Sequence, residues 1–362
     1  MKKRIFALLL AAALIFACLP QVSALTYNSY AYEVLEDGTV KLTGYRDFYT
    51  ENVFVPKEID GKPVTVIGDN VFKSKSAIES VVIPETVTEI GSFAFYDCIH
   101  LDELIMGKGV KKLGTRCFTN CKALRAVNLQ NIEEIGESVF HNCTALEQLN
   151  MGSSLKTIGK NAFYGCKLLN MIRFSAVLES IGDYAFYNNI AIEELILPAS
   201  LKIIGNSAFA GCKKLASVTF GSGELEIGGY AFENCELLTA VTLPANIKAI
   251  GRYAFAMREE TVFSGNAVQI TCPAHSAGFK YCFGADIKPT VSDFGNKQYT
   301  PGDVNGKGGL TVDDARLALS YAARIVKPDE NAKMLADVNG NGFCDTEDAR
   351  MILQKAIGVY KV

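Results

Sequence analysis

Along most of the chain, apolar residues recur with a period of 23 rather than with the short period of a lone helix or strand. An Ile/Leu-Gly pair begins at Ile67, Ile90, Leu113, Ile135, Ile158, Ile181, Ile204, Ile227 and Ile250, with one step of 22 between Leu113 and Ile135. Three residues after each Gly stand a small residue and a Phe, from Val71-Phe72 and Ala94-Phe95 through Val139-Phe140 to Ala254-Phe255. Most units also carry L-x-x-φ-x-φ, with φ apolar, as in Leu101-x-x-Leu104-x-Met106, Leu124-x-x-Val127-x-Leu129 and Leu146-x-x-Leu149-x-Met151. A fixed period of this length is the signature of a solenoid, whose turns bury their apolar faces against one another.

The φ-x-φ alternation has period two and predicts a short strand with one face buried. One strand per turn predicts a single parallel sheet, about 40 Å long at the ~4.8 Å spacing of neighbouring strands. The opposite side of each turn is Ile-Gly-x-x-Ala-Phe. Gly permits a backbone bend there. Asp69, Ser92, Thr115, Asp183 and Asn206 follow the Gly and suit the cap of a short helical turn. The Phe side chains are expected to stack as an internal column.

These frames resemble the BspA-like, or Treponema-type, leucine-rich repeat over roughly residues 40 to 290. Unlike the common leucine-rich frame, the strand here often ends in Pro, as at Pro84, Pro198 and Pro244. The resemblance implies a leucine-rich repeat α/β solenoid with a short parallel strand and a short helical turn per ~23 residues. Residues 67–258 are assigned to the repeats. An N-terminal cap is expected over 25–66, with a hairpin turn at Asp37-Gly38, and a C-terminal cap over 259–288, with a strand near 267–272 and a short helix. Solenoid ends need such covers.

Seven residues after a repeat Gly stand Cys98, Cys121, Cys143, Cys166, Cys212 and Cys235, with Asn189 in the same slot and Lys75 and Arg258 in the terminal units. Stacked slots have parallel Cβ vectors, which is poor disulfide geometry, so the column reads as small buried residues. Cys272 and Cys282 both fall in the C-terminal cap, where the sequence leaves both the paired and the free state open. Cys272-x-x-His275 with Cys282 fits no common closed zinc site. His100 and His141 read as surface residues.

Composition narrows the function. The 362 residues carry a net charge of −3, which argues against nucleic acid as a partner. Three His leave few general bases. Residues 1–24 read as a secretion signal: Lys2, Lys3 and Arg4, then the apolar run Ile5–Leu19, then Val22-Ser23-Ala24. Lipid attachment at Cys18 is the alternative. No other segment is apolar enough to cross a membrane.

Past a Pro-bounded polar stretch, 289–300, read as a linker, the pattern changes. Asp303-Val-Asn305-Gly-Lys307-Gly-Gly309-Leu-Thr311-Val-Asp313-Asp314 returns 34 residues later as Asp337-Val-Asn339-Gly-Asn341-Gly-Phe343-Cys-Asp345-Thr-Glu347-Asp348. Each leads into Asp-Ala-Arg and apolar residues at helical spacing. This is the spacing of an EF-hand calcium loop: oxygen side chains at positions one, three and five, a carbonyl at seven, a carboxylate at twelve, and Gly at six for the bend. The second loop offers Asp337, Asn339, Asn341, the Phe343 carbonyl, Asp345 (directly or through water) and Asp348. The first offers Asp303, Asn305, the Gly309 carbonyl, Thr311 (directly or through water) and Asp314. Lys307 at position five has no oxygen to give, so this site is expected to bind Ca2+ more weakly. Cys344 at position eight is expected to be packed.

Position twelve is Asp rather than Glu, and Tyr299-Thr-Pro301-Gly precedes the first loop where an ordinary EF-hand has a helix. Residues 301–362 resemble a type I dockerin, which implies a small all-α, duplicated EF-hand-like calcium domain that docks onto a cohesin module of a scaffoldin, as in a cellulosome. In that family loop positions ten and eleven touch the cohesin. Here they are Val312-Asp313 and Thr346-Glu347, and the difference between the halves argues against two equivalent docking modes.

For the repeats, the outward strand residues Asp102, Glu103, Arg125, Asn128, Glu147, Gln148, Asn150, Arg173, Glu193 and Glu194, with Thr219 and Thr242, are expected to line a concave face. Mixed polar character favours a protein partner over a flat glycan. The sequence thus predicts a secreted noncatalytic interaction protein, in the extracellular space or a cell-surface complex. An adhesin binding host or neighbour-cell proteins is the alternative. A polysaccharide-degrading enzyme component fits poorly, since the repeats leave no inserted domain for paired carboxylates.

Overall fold

The computed structural model describes residues 29–256, 268–285, 289–292 and 297–360. The signal sequence, Cys18, Arg258 and residues 259–267 and 286–288 of the expected C-terminal cap lie outside the described residues.

The repeats form a parallel β-solenoid with a core of stacked rings. Phe72, Phe95, Phe118, Phe140, Phe163, Phe186, Phe209, Phe232 and Phe255 lie one above another, centroids 4.8 to 5.5 Å apart and planes within 10°. Tyrosines close both ends of the column. Tyr45 tilts against Phe72 at 5.0 Å, and Tyr281 meets Phe255 edge-on at 5.8 Å while its hydroxyl accepts from the Phe255 amide.

Two strands per turn are formed rather than one. The longer parallel ladder belongs to the residues that end at the Ile of Ile-Gly. Ile135, Ile158, Ile181, Ile204, Ile227 and Ile250 pair in register through one six-stranded sheet. A second ladder joins Lys62–Ile67, Glu89–Ile90 and Lys112–Leu113. The two ladders part at the 22-residue step. A Cβ on Gly136 would sit 3.5 Å from the Leu113 carbonyl, whereas one on Gly114, Gly205 or Gly228 would fall within 2.7 Å of the preceding turn's backbone. Gly therefore serves the close approach of successive turns, not a bend, and the short repeat loosens that approach once.

The φ-x-φ strands are present but do not make the expected continuous sheet. They form separate groups: Asn52–Phe54 with Ser80–Ile83 and Glu103–Met106, then Ala126–Asn128 with Gln148–Asn150, then Glu194–Ile196 with Ser217–Thr219, then Ala240–Thr242 with Gln269–Cys272. Arg173 lies in a turn whose Leu169-x-x-Ile172-x-Phe174 makes no strand; nothing in its surroundings explains the lapse.

The expected helical turn is also absent from the described repeats. The second residue after the repeat Gly is left-handed, as at Phe93, Arg116, Tyr184 and Tyr253, with φ of 56 to 57°. That conformation interrupts an α-helix. Alternate amides instead reach the next turn: Phe93, Phe95 and Asp97 N–H donate to the carbonyls of Thr115, Cys117 and Thr119. The polar residue after Gly also serves the neighbouring turn. Asp69 Oδ1 accepts from the Ser92 amide at 2.7 Å, and Asp183 Oδ1 from the Asn206 amide at 2.7 Å.

At the N-terminal end Tyr30–Val34 and Val40–Tyr45 form the expected hairpin at Asp37-Gly38, and the second strand opens the Ile-Gly ladder by pairing with Lys62–Ile67. At the other end Gln269–Cys272 and helix α1 (Ala277–Ala285) cover the last turns. The stretch read as a linker carries strand pairing. Thr290–Val291 adds in parallel to Gln269–Cys272, and Lys297–Gln298 returns antiparallel, so this segment extends the cap sheet. Three helices follow: α2 (Val312–Ala322), α3 (Glu330–Ala336) and α4 (Thr346–Ala356). No described helix is long and apolar enough to cross a membrane.

Candidate metal-binding loops and the repeat surface

The two C-terminal loops fold alike because their sequences place the same groups at the same positions. Gly308 and Gly342, at position six, have φ of 87° and 88°, which only Gly adopts without strain. Their amides donate to Oδ2 of Asp303 and Asp337 at 3.0 and 2.8 Å. The position-twelve carboxylates fold back over the loop. Asp314 and Asp348 accept through Oδ1 from the Asn305 and Asn339 amides, both at 3.0 Å, and through Oδ2 from the Thr311 and Asp345 amides, both at 2.9 Å. The helices α2 and α4 begin on these capping boxes.

Four carboxylates of the loops are thereby buried: Asp314, Asp337 and Asp348 fully, Asp303 to 8% exposure. Asp303 Oδ1 has no hydrogen-bond partner. Burial pushes the Asp348 carboxyl up to about 6 against the lowering pull of the Asp345 and Asn339 amides, and the charges of Asp337 and Asp345 push the same way. Buried carboxylates with an orphaned oxygen are a lining whose charge a cation would neutralise. The donors are hard oxygens, which suits Ca2+ or another hard divalent ion. They mix carboxylates with amide and backbone oxygens; among the described residues no group of three or more His, Cys, Asp and Glu side chains is placed to hold a metal ion by itself. In the second loop Asn341 Oδ1 accepts from the Phe343 amide, and its Nδ2 donates to Asp345 Oδ2 at 2.9 Å. In the first, Lys307 at position five is exposed, and Thr311 Oγ1 donates to Asp314 Oδ2 at 2.7 Å.

Val312, Asp313, Thr346 and Glu347 are all exposed on the first turns of α2 and α4. Asp313 pairs with Arg316, and Glu347 with Arg350, on its own helix. Leu319 of α2, Ile325 and Val326 after it, and Ile357 and Val359 after α4 are large apolar residues left exposed. Cys344 is half-buried against the α2–α4 core, with its thiol directed to the Ala318 carbonyl.

On the repeats, Glu103, Arg125, Asn128, Glu147, Gln148, Asn150, Arg173, Glu193 and Glu194 are exposed and Asp102 is half-exposed. Arg125 Nε meets Asp102 Oδ1 at 2.9 Å across adjacent turns. Exposed Phe54, Met171 and Ile196 interrupt the polar face. These occupy the x or first position of the strand motif, so the polar-outside reading passed over them. The cysteine column is buried, and each thiol is directed to a Phe carbonyl. Cys272 and Cys282 are both buried, with their side chains in hydrogen-bond contact. His100 Nδ1 meets the Ser76 carbonyl at 2.7 Å, and His141 stacks on Tyr164 at 4.6 Å.

The profile of the BspA type leucine rich repeat region matches six copies over residues 65–193 and 179–270, more than half of the chain. The chain belongs to the BspA-type leucine-rich repeat family. Its BspA-type repeats are also similar to solved structures. A leucine rich cell surface protein from Faecalibacterium prausnitzii is 26% identical with a TM-score of 0.55, over 66% of this chain and 74% of that protein. The leucine rich repeat protein of T. pallidum is 21% identical with a TM-score of 0.45, over 58% and 88%. One from Bacteroides ovatus is 23% identical with a TM-score of 0.39, over 70% and 79%. Comparison with curated proteins finds no match. The match to the BspA-type profile ends at residue 270, before both loops.

Proposed function

We propose that this BspA-type chain is an exported, noncatalytic interaction protein with two binding parts. Residues 301–362 act as a dockerin-like module. Ca2+ in the two loops neutralises the buried carboxylates and orders α2 and α4, whose exposed first turns, Val312-Asp313 and Thr346-Glu347, then engage a cohesin of a scaffoldin. The repeats carry a protein ligand on the strand face that includes Arg125, Asn150 and Glu194. The observation that carries this reading is the paired loop geometry, with four buried carboxylates and the orphaned Asp303 oxygen. Metal binding free energy becomes folding free energy when the ligands repel one another without the ion.

A second reading, a cell-surface adhesin, draws on the similar Faecalibacterium protein, which is described as a cell surface protein. Capture with the mature protein from the source cell's envelope and culture fractions, in calcium and in EDTA, separates the two. A cohesin-bearing prey retained only in calcium supports the docking module. Prey that persists in EDTA and is lost on reversing the charge at Arg125 supports the adhesin and sinks the scaffold reading.

A further inference from the structure

The two loops differ in one contact. In the second, Asp337 Oδ2 accepts from the Gly342 amide at 2.8 Å and also meets Nδ1 of His275 at 2.5 Å. His275 belongs to the solenoid cap, between Gln269–Cys272 and α1, 62 residues before Asp337. In the first loop Asp303 Oδ2 has the matching amide, from Gly308, but Oδ1 has no partner and no imidazole stands beside the carboxylate. The chain therefore contains its own comparison: the same loop with and without a histidine from the repeats.

The surroundings make His275 part of a fixed junction. A Cβ on Gly340 of the second loop would lie 3.3 Å from the Ser276 carbonyl and 3.7 Å from that of His275, so the loop backbone rests directly on the cap. Met334 and Leu335 of α3 belong to the solenoid core, while Phe283 of α1 belongs to the core of the C-terminal helices. The Gly302 amide donates to the Leu335 carbonyl at 2.8 Å. Lys355 Nζ donates to the Phe283 carbonyl, and Tyr360 packs edge-on to the Phe283 ring at 5.4 Å.

We infer that His275 is a positioning residue for the second calcium loop, so that calcium there and closure of the solenoid's C-terminal end are thermodynamically linked. The inference rests on the calcium reading proposed above. A carboxylate ligand is aimed by what its other oxygen binds. With Oδ2 held by an amide and an imidazole N–H, Asp337 keeps Oδ1, which among the described residues accepts from the Asn341 amide at 3.1 Å, turned into the loop. Such outer contacts typically contribute about 10- to 100-fold in metal affinity. Linkage is reciprocal, so the ion stabilises the cap by the factor by which the cap tightens the ion.

The test uses the mature protein and calcium alone. His275 has φ of 53°, so His275→Gly removes the side chain without backbone strain. His275→Asn keeps an amide N–H near the position of Nδ1 and also tolerates the left-handed backbone. Calorimetry is expected to show the tighter of two calcium constants weakened about tenfold or more in H275G and largely restored in H275N. Hydrogen exchange is expected to slow across Ala277–Ala285 on adding calcium to the wild type, and not in H275G. An unchanged tighter constant in H275G, or an H275N as weak as H275G, overturns the positioning role. Calcium that leaves exchange in α1 unaltered overturns the linkage. A wild-type chain that binds no calcium overturns the loop reading itself and this inference with it.

Discussion

Asn189 donates from Nδ2 to the Phe163 carbonyl at 2.9 Å, in the slot where the neighbouring turns direct Cys166 Sγ to Phe140 and Cys212 Sγ to Phe186 at 3.2 and 3.4 Å. The cysteine column is therefore a column of donors for buried Phe carbonyls, and thiol chemistry is incidental to it. Asn meets that need but carries a second polar atom, and its Oδ1 is buried without a partner. Asn189→Cys is expected to stabilise the repeats by about 1 kcal/mol, and Cys166→Ala to destabilise them by about 1–3 kcal/mol, because it leaves the Phe140 carbonyl unpaired. Urea unfolding followed by circular dichroism checks both signs. Equal losses from both changes would refute the donor account.

The same burial sets the column's reactivity. Desolvation raises the Cys98 and Cys235 thiols from the ordinary value of 9.0 to about 12, and raises Cys121, Cys143, Cys166 and Cys212 as well. Each thiol holds its proton more tightly folded than unfolded. Its contribution to stability is whole below pH 9 and is lost as pH rises from 9 toward 12. The repeats are expected to unfold at progressively lower urea concentration above pH 9. At pH 8 the native column should resist iodoacetamide, while unfolded chain is alkylated at every cysteine. Rapid native labelling at Cys121 or Cys166, read by mass spectrometry, would contradict the burial.

Phe163 sits between Phe140 and Phe186 at 5.3 and 5.2 Å and is fully buried. Phe163→Ala opens a cavity in mid-column and is expected to cost about 3–5 kcal/mol. Because stacking couples each turn only to its neighbours, exchange protection should collapse first in the turns around residues 140 and 186. Uniform loss from Val40 to Phe255 would show that the column is not nearest-neighbour.

What the sequence made legible was whatever repeats through burial. The Phe column, the cysteine slot and the Asp37-Gly38 hairpin follow from residue type and spacing. The second strand of each turn did not, because Thr157-Ile158 or Ser180-Ile181 is too short to show an alternation. The helical expectation failed at Phe93 and Tyr184, where inter-turn hydrogen bonds hold bulky residues left-handed against their local preference. The partly paired segment 289–300 read as linker because its strands of two residues exist only by adding to Gln269–Cys272. In the candidate loops, the repeated positions of the oxygen-bearing side chains and of the glycines were readable from spacing alone. His275 was not: it lies 62 residues before Asp337, and only the docking of α3 onto the cap brings them together.

The asymmetry of the loops leads to a prediction about metal removal. On the calcium reading proposed above, Lys307 occupies the position where Asn341 would offer its amide oxygen in the second loop, and its positive charge would stand beside the ion. Lys307→Asn restores the oxygen and removes the charge. It is expected to tighten the weaker calcium constant by about tenfold, the equivalent of ~1.4 kcal/mol, while the tighter constant is unmoved. With EDTA, the buried Asp303, Asp314, Asp337 and Asp348 are left without a counter-charge, and the near-UV signal of Tyr321 and Tyr360, which pack against the core of the C-terminal helices, should fall while the repeat signal persists. Titration of both proteins by calorimetry, with near-UV circular dichroism before and after chelation, gives the answer. If K307N leaves the weaker constant unchanged, position five does not face the ion in the first loop, and the two loops bind differently despite their common hydrogen bonds.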